Sequence, residues 1–498
     1  MSKKKKTIEE LLEEAIIPEE KERFEIPKNW IWTQTGSITD VIGGGTPKST
    51  VKEYFEDGDI PWLTPADLSG YNDMYISRGK RNITEVGLAN SSAKILPSNT
   101  VLLSSRAPIG YVTIASNDIC TNQGFKSFLP SNAYYPEYLY WYLKFSTTYL
   151  ESMASGTTFK ELSGSKCKEI ALPLPSLNEQ KRIANKVERL LNKVEEAKQL
   201  IEEAKESFEL RRAAILDKAF RGELTRKWRE KNADIDIFEV QEHLDRLRAD
   251  KESSPIKSNT LNVKSVNEVD EPFNLPRGWK WARLGELSYY VTSGSRDWSK
   301  YYADNGSYFI RTQDINKNKL NLTNVAYVLL PEKVEGKRSL VEPFDLLTTI
   351  TGANVGKCAI VEETIPEAYV SQSVALTKLI DKSMAKYVHL SLLSTCGGGG
   401  ELENRAYGIG RPVLSLEDVK NIRLPIAPYR ERQVMVNMVK KLLDMEETTG
   451  NLLLIEEKLD QLKNSILSKA FRGKLGTNDP TEENAIELLK EVLQEQVK

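Results

Sequence analysis

The stretch Lys-Ala-Phe-Arg-Gly-Glu-Leu at residues 218–224 returns as Lys-Ala-Phe-Arg-Gly-Lys-Leu at residues 469–475. Each copy ends a long, charged segment, the first starting near residue 177 and the second near residue 429. Similarity at a fixed period indicates an architecture built from repeated units. The two copies therefore predict an internal repeat of about 250 residues, around which the rest of the chain can be arranged.

Apolar residues in both charged segments recur four and three positions apart. This spacing is typical of a coiled-coil seam, which needs a partner helix. The second segment shifts register around Thr448, Thr449 and Gly450, where a glycine costs a helix about 1 kcal/mol relative to alanine, so we expect a weak point there. The predicted seam comprises Ile183, Val187, Leu190, Val194, Ile201 and Phe208 in the first helix, and Met435, Met438, Leu442, Leu452, Leu459, Leu462 and Ile466 in the second.

The sequence between the helices repeats as well. Ile-Pro-Lys-Asn-Trp at residues 26–30 returns as Leu-Pro-Arg-Gly-Trp at 275–279, and predicted strands and a short amphipathic helix recur at a similar offset. The predicted class is α+β, with two similar globular units alternating with two long helices. The predicted order is an N-terminal helix and tail (1–26), a globular unit (27–175), a long helix (176–224), a charged helix and linker (225–275), a second globular unit (276–427), a second long helix (428–475) and a C-terminal helix (476–498). The two chain ends are expected to complete in space the connection that residues 225–275 make covalently.

Length and composition exclude several classes of protein. A chain of 498 residues is too long for one core. It contains no apolar run of about 18 residues and its lysine-rich start is not a secretion signal, so we expect a cytoplasmic protein without a membrane span. Four separated cysteines and two histidines make zinc sites and disulfides unexpected. A net charge of −2 predicts no general basic coat, although a local basic face is compatible with it.

Catalytic motifs are not apparent. Gly-Ala-Asn-Val-Gly-Lys at residues 352–357 has too few residues between its glycines for a phosphate-binding loop, and it leads into a predicted strand. The chain also lacks the Asn-Pro-Pro-aromatic or Asp-Pro-Pro-aromatic tetrapeptide that grips a flipped base in amino-methyltransferases. The sequence therefore predicts a non-catalytic chain with no metal or cofactor of its own.

Basic and polar residues in the globular units are candidates for nucleic-acid contact. Clustered lysines and arginines can neutralise phosphates, and arginine and glutamine match the base edges of guanine and adenine. For any one cluster, an ordinary solvated loop is the alternative. The candidate DNA-binding residues are Lys48, Arg78, Lys80, Arg81, Arg106, Thr157, Thr158 and Lys160 in the first unit, and Arg296, Arg311, Gln313, Lys317, Lys319, Lys337, Arg338, Arg405 and Arg411 in the second.

This organisation resembles the specificity subunit of type I restriction-modification enzymes. The resemblance is carried by Pro-Lys-Asn-Trp at 27–30, Pro-Arg-Gly-Trp at 276–279, Leu-Pro-Leu-Pro-Ser-Leu-Asn-Glu-Gln at 172–180 and the two Lys-Ala-Phe-Arg-Gly ends. The second long helix departs from it, beginning Tyr-Arg-Glu-Arg-Gln at 429–433. The resemblance implies two target recognition domains that bind double-stranded DNA, each reading half of a split sequence, and two helices paired as an antiparallel coiled coil with pseudo-twofold symmetry.

The resemblance also implies partners and excludes chemistry. Two methyltransferase subunits would dock on the helices, and restriction/translocase subunits would complete the complex. S-adenosylmethionine, ATP and Mg would then belong to those partners, and this chain would hold no catalytic residue.

Two other classes of protein remain as alternatives. A single-chain restriction enzyme would need nuclease and methylase motifs, which are not found. A non-catalytic coiled-coil scaffold or adaptor would explain the helices, but not two large, divergent, aromatic-rich units. Equivalent positions differ between the units, as Thr-Pro-Ala at 64–66 and Arg-Thr-Gln at 311–313 do, so the sequence predicts a bipartite, asymmetric target.

Overall fold

A computed structural model of the protein describes residues 6–156, 160–232, 234, 236–254, 258–296, 298–316, 318–331, 336–408, 410, 412–448 and 452–497. The chain divides into two compact units. Unit 1 comprises Met1–Ile201 with Leu453–Lys498, and unit 2 comprises Glu202–Leu452. Each unit therefore holds one globular segment, the beginning of one long helix and the end of the other.

The secondary structure mixes helices and strands throughout both units. The α-helices are α1 (Ile8–Ala15), α2 (Thr35–Ile38), α3 (Glu85–Ala89), α4 (Pro136–Phe145), α5 (Thr147–Met153), α6 (Gly164–Lys168), α7 (Leu177–Phe220), α8 (Arg226–Lys231), α9 (Glu239–Ser253), α10 (Ala385–Leu393), α11 (Gly400–Arg405), α12 (Leu416–Lys420), α13 (Tyr429–Thr448), α14 (Leu452–Phe471) and α15 (Ala485–Val497). The strands are β1 (Ile31–Gln34), β2 (Val41–Gly43), β3 (Ile60–Leu63), β4 (Tyr75–Ile76), β5 (Arg81–Ile83), β6 (Val101–Ser105), β7 (Ile109–Ala115), β8 (Cys120–Thr121), β9 (Phe125–Phe128), β10 (Ala171–Leu174), β11 (Lys280–Arg283), β12 (Ser288–Ser293), β13 (Tyr302–Ala303), β14 (Ser307–Ile310), β15 (Ile315–Asn316), β16 (Lys319–Leu320), β17 (Ala326–Val328), β18 (Leu346–Thr349), β19 (Cys358–Ile360), β20 (Ala368–Val370), β21 (Val374–Leu379) and β22 (Arg423–Ile426).

The sheets of the two units share one topology. Unit 1 contains the strand orders β2-β9-β6-β7-β4, β5-β3-β8 and β1-β10. Unit 2 contains β12-β21-β18-β19, β13-β17-β14-β20 and β11-β22, plus the hairpin β15-β16. A parallel pair lies at the equivalent place in each unit, β3 with β8 and β14 with β20, and unit 1 has a second parallel pair, β4 with β7. This correspondence confirms the predicted α+β class and the internal repeat. Strand β4 in unit 1, and β13 with the hairpin β15-β16 in unit 2, are additions that distinguish the units.

The short amphipathic helices predicted in each half are α4 and α10. Each packs an aromatic face into the core and hydrogen-bonds the strand that precedes a long helix. The hydroxyl of Tyr138 donates to the carbonyl of Pro173 at 2.6 Å, and the hydroxyl of Tyr387 donates to that of Pro425 at 2.6 Å. Both tyrosines are buried, and the bond satisfies the polar end of a large apolar side chain.

The long helices run antiparallel where they meet. In unit 1, Glu179 near the start of α7 accepts a hydrogen bond from Thr477, which follows α14, whereas Lys198 further along α7 pairs with Asp460 at 2.6 Å. Residue numbers thus rise along one helix as they fall along the other. In unit 2 the end of α7 shares a core with Met435 of α13.

The predicted seam residues differ in burial. The buried ones are Ile183, Val187, Val194, Ile201, Met435 and Ile466, and the half-buried ones are Leu190, Phe208, Met438, Leu442 and Leu459. Leu462 is 46% exposed, because the last turns of α14 contact the core of unit 1 through Ile466, Leu467, Ala470 and Phe471. The buried face is thus wider than a two-position seam. The side chain of Leu452 and the expected weak point at residues 449–450 lie outside the described residues.

The repeated heptapeptide closes each long helix on a globular segment. In unit 2 the ring of Phe220 lies 5.3 Å from that of Tyr387. Gly222 follows in the left-handed region (φ +73°), where an added Cβ would lie 2.4 Å from Pro276 Cγ. Glycine is therefore required twice over, by the backbone angle and by the close approach.

The second copy does the same in unit 1. Phe471 stacks among the aromatic rings of α4, with centroids 5.2 Å from Tyr142 and 5.4 Å from Phe145. Gly473 (φ +66°) lies against Pro27, where a Cβ would come within 2.2 Å of the ring. The heptapeptide that ends the first long helix thus packs against the second globular segment. The heptapeptide that ends the second long helix packs against the first globular segment.

A buried carboxylate marks the start of each long helix. Glu179 accepts from Thr477 Oγ1 at 2.8 Å, and Glu431 accepts from Thr225 Oγ1 at 2.5 Å. Each threonine closely follows the end of the other long helix. Both carboxylates are almost fully buried, and a buried carboxylate needs a partner of opposite charge. Arg182 forms an ion pair with Glu179, and Arg229 forms one with Glu431.

The two chain ends meet in unit 1. Helix α1 packs against α15, and Leu489 and Leu493 of α15 are buried in the core of this unit. The amide of Ala485 donates to the carbonyl of Asn29 at 3.0 Å. In unit 2, Val240 and Leu247 of α9 are buried in the core at the corresponding place along the chain.

Candidate nucleic-acid interface

A basic loop connects β4 and β5 in unit 1. Arg78 and Lys80 of this loop and Arg81, the first residue of β5, are exposed and line an open hollow of about 590 Å³ together with Phe55 and one exposed carboxylate, Asp57. The guanidinium of Arg81 lies 5.2 Å from the centroid of the Phe55 ring, which restrains that side chain by a cation–π contact. Three exposed cations at one hollow form a surface suited to phosphates.

Hydrogen bonds to Asp67 and close packing at Gly79 fix the backbone of this loop. Asp67 accepts the amide of Lys80 at 3.0 Å and also the amide of Thr64 at 2.8 Å. A Cβ on Gly79 would lie 2.7 Å from the carbonyl of Trp62, so a larger residue does not fit. The loop is therefore held close to the sheet while its cations remain in solvent.

Other candidates in unit 1 lie in three further loops. Arg106 is half-buried, and its Nη1 lies 3.9 Å from Glu161 Oε2. Lys126 is also within 3.6 Å of Glu161, which partly neutralises both cations. Lys160 and Lys48 are exposed. Thr157 and Thr158 lie outside the described residues.

Two of the candidate arginines in unit 2 are bonded within the protein. The amide of Arg311 donates to Asp314 at 2.7 Å, its guanidinium lies 3.4 Å from the same carboxylate, and its Nη2 donates to the carbonyl of Asn324 at 3.1 Å. Arg405 donates to Glu401 at 3.0 Å. These bonds hold the guanidinium groups in place and compete with contacts to DNA.

The remaining candidates of unit 2 are exposed where the structure describes them. These are Arg296, Gln313, Lys319, Lys337 and Arg338. Lys317 and Arg411 lie outside the described residues. The structure thus brings Arg78, Lys80 and Arg81 together at one hollow, and Lys337 and Arg338 lie side by side in one short 3-10 helix of unit 2.

Sequence reasoning missed two exposed glutamines at equivalent positions. Gln123 follows β8 in unit 1, and Gln372 follows β20 in unit 2. The signal was present, because Thr-Asn-Gln-Gly at 121–124 matches Val-Ser-Gln-Ser at 370–373 at the offset of the repeat.

Three of the four thiols are buried, and Cys396 and His243 are half-buried. Burial raises the pKa of Cys120 to about 11 and that of Cys358 to about 12, which disfavours the nucleophilic thiolate. Burial also lowers the pKa of His389, whose Nε2 lies 3.0 Å from the carbonyl of Cys358. Among the residues that the structure describes, no group of three His, Cys, Asp or Glu side chains could hold a metal ion. Within that part of the chain, no helix is long and apolar enough to cross a membrane.

Comparison with known proteins gives one family. Residues 27–206 match the family model described as the type I restriction modification DNA specificity domain. The type I restriction enzyme MjaIX specificity subunit of Methanocaldococcus jannaschii is 29% identical over 456 residues, which cover 90% of this chain and 94% of that protein. The EcoBI specificity subunit of Escherichia coli is 26% identical over 467 residues, covering 90% of this chain and 87% of that protein.

Solved structures share the fold over most of the chain. A chain from the structure described as "Structural basis underlying complex assembly and conformational transition of the type I R-M system" matches with a TM-score of 0.65 and 19% identity, covering 91% of this chain and 100% of that one. The HsdS subunit from Thermoanaerobacter tengcongensis matches with a TM-score of 0.50 and 19% identity, covering 91% of this chain and 99% of that one.

The match to a DNA specificity domain and the similarity to specificity subunits identify a sequence-specific DNA-recognition subunit. Residues 27–206 carry a type I restriction modification DNA specificity domain, and the chain is similar over 90% of its length to specificity subunits of type I restriction enzymes. Members of this family are non-catalytic, so no residue of the described site is assigned a step in a reaction.

Proposed function

We propose that the chain reads a split DNA sequence, with each globular unit recognising one half, and that the two halves differ. The observation that supports this proposal is that equivalent turns of the two units have different side chains. Asp67 accepts the amide of Thr64, and Asp314 accepts the amide of Arg311, at the same point after β3 and β14. A shared backbone can position both units on DNA in the same way, while the different side chains recognise different base sequences.

The proposal includes partners. The specificity subunit would assemble with two methyltransferase subunits and with restriction/translocase subunits, and those partners would supply S-adenosylmethionine, ATP and Mg. The support is the similarity of the whole chain to specificity subunits, since 90% of its length is matched. This assembly is expected to take place in the cytoplasm.

Selection from a randomised duplex library tests the function directly. The full-length chain, with and without methyltransferase subunits, is incubated with the library, and bound duplexes are sequenced. The expected result is two different short words separated by an unspecified gap. Binding without any selected word would instead favour a scaffold or adaptor, and one continuous or fully palindromic word would contradict the split, asymmetric target.

The basic loop of unit 1 is expected to act on phosphates. Replacing both Arg78 and Lys80 by alanine should weaken binding of target and non-target duplexes alike, and should flatten the dependence of log K on log salt by up to about 1 for each phosphate that is no longer neutralised. Affinity is measured by fluorescence anisotropy across a salt series. The control is Lys490→Ala, which removes a lysine paired with Glu487 at 2.6 Å in the same unit. Unchanged affinity and slope in the double variant would remove this loop from the interface.

A further inference from the structure

A four-residue loop of unit 1 presents one exposed side chain on a rigid backbone. The segment, residues 121–124, begins at the last residue of β8, the strand that pairs parallel with β3. The amide of Asn122 donates to the carbonyl of Leu63 at 2.9 Å, and the amide of Ser105 donates to that of Gly124 at 2.7 Å. Both ends of the loop are thereby bonded to neighbouring strands.

The equivalent loop of unit 2, residues 370–373, carries the same bonds. The amide of Ser371 donates to the carbonyl of Ile310 at 2.8 Å, and the amide of Ile350 donates to that of Ser373 at 2.9 Å. The two loops therefore have corresponding attachments, although only one residue type is common to them at matching positions. That residue is the glutamine, Gln123 in one loop and Gln372 in the other.

A glycine segment packs against each loop. The amide of Gly45 donates to the carbonyl of Thr121 at 2.9 Å, and the amide of Gly294 donates to that of Ser371 at 3.2 Å. A Cβ on Gly294 would lie 1.8 Å from the carbonyl of Val370, so this approach excludes any side chain. An exposed cation follows each glycine segment, and the two are Lys48 and Arg296.

Both glutamine side chains are exposed, whereas the residues that anchor their loops are buried or half-buried. A surface glutamine adds nothing to a hydrophobic core, so packing does not account for its presence at both positions. The hydroxyl of Thr46 also donates to the Gln123 amide oxygen. A primary amide offers a donor and an acceptor side by side, the pattern that matches N7 and N6 of adenine in the major groove.

We propose that Gln123 and Gln372 are the equivalent base-reading side chains of the two units, and that each recognises an adenine in its own half-site. This assignment rests on the proposed function. The neighbouring Lys48 and Arg296 supply phosphate contacts, while the neutral glutamines supply discrimination between bases. The two half-words therefore differ elsewhere but share an A·T pair.

The test compares the parent with Gln123→Ala and Gln372→Ala in the same randomised-duplex selection. Each variant is expected to lose the preference at one A·T position of one word, by roughly 5- to 150-fold, with all other positions kept. The two variants should affect different words. Affinity for a non-target duplex should stay within about twofold, because no charge is removed.

Two additional variants control for folding and for chemistry. Gln241→Ala removes a glutamine of α9 that bonds Asp245 at 3.2 Å, and it should select the parental words. Gln123→Glu keeps the length of the side chain but removes its amide donor, and it should lose the same position as Gln123→Ala. A parent that selects no words overturns the proposed function and this assignment with it. A parent that selects two words, with both alanine variants keeping every position, leaves the function intact and overturns the assignment.

Discussion

Replacing Phe220 by alanine is expected to destabilise unit 2 by about 3–5 kcal/mol, although residue 220 ends the helix that begins after the first globular segment. The ring is fully buried and lies 5.3 Å from Tyr387, so its removal leaves a cavity in the core of unit 2. Hydrogen exchange followed by mass spectrometry should show faster exchange in β18 and β21, with β6 and β9 protected as in the parent.

The reciprocal variant, Phe471→Ala, should expose β6 and β9 of unit 1 instead. Phe471 is fully buried against three aromatic rings of that unit, so a destabilisation of similar size is expected. Leu210→Ala is the matched control, because this α7 leucine is 72% exposed and its removal should cost little. If each phenylalanine variant loosened the globular segment that precedes it in sequence, the assignment of the helix ends to the opposite units would be wrong.

The sequence predicted which parts repeat, because the heptapeptides and the starts at Trp30 and Trp279 are local patterns. It did not predict which unit each helix end belongs to. Two equal copies indicate that Phe220 and Phe471 have the same role, but the partner of each is a non-local contact that spacing cannot reveal. The pairs Glu179 with Thr477 and Glu431 with Thr225 were hidden for the same reason.

The candidate site was less predictable than the fold. Residue type alone presents every arginine as a possible DNA contact, yet Arg311 and Arg405 are bonded to Asp314 and Glu401. Both acids lie within four positions of their arginine, a spacing that allows internal pairs. Gln123 and its counterpart were overlooked because positive charge is the stronger indicator of DNA contact in a sequence, and a neutral amide carries none.

The continuous helix α7 gives a second large expected effect, on the gap between the half-sites. It contains 44 residues, about 66 Å at 1.5 Å per residue, and its first part belongs to unit 1 while its last part belongs to unit 2. We expect the two long helices to act as a ruler that sets the unspecified spacing. A heptad preserves the apolar phase of a helix pair, so insertion of seven residues is the least disruptive way to lengthen both.

One heptad inserted after Ala197 and another after Met445 should lengthen each helix by about 10 Å, close to three base pairs at about 3.4 Å each. The two words should remain unchanged, because the globular segments are untouched, while the gap should widen by up to about three base pairs as the DNA absorbs the added rotation. The motifs methylated in cells carrying the parent or the insertion variant are compared by sequencing. The control is a seven-residue insertion between Asn267 and Glu268, which are exposed, lie outside both long helices and should leave the gap unchanged. A folded insertion variant that kept the parental gap, or that changed its words, would show that the helices serve to dock partner subunits and do not set the spacing.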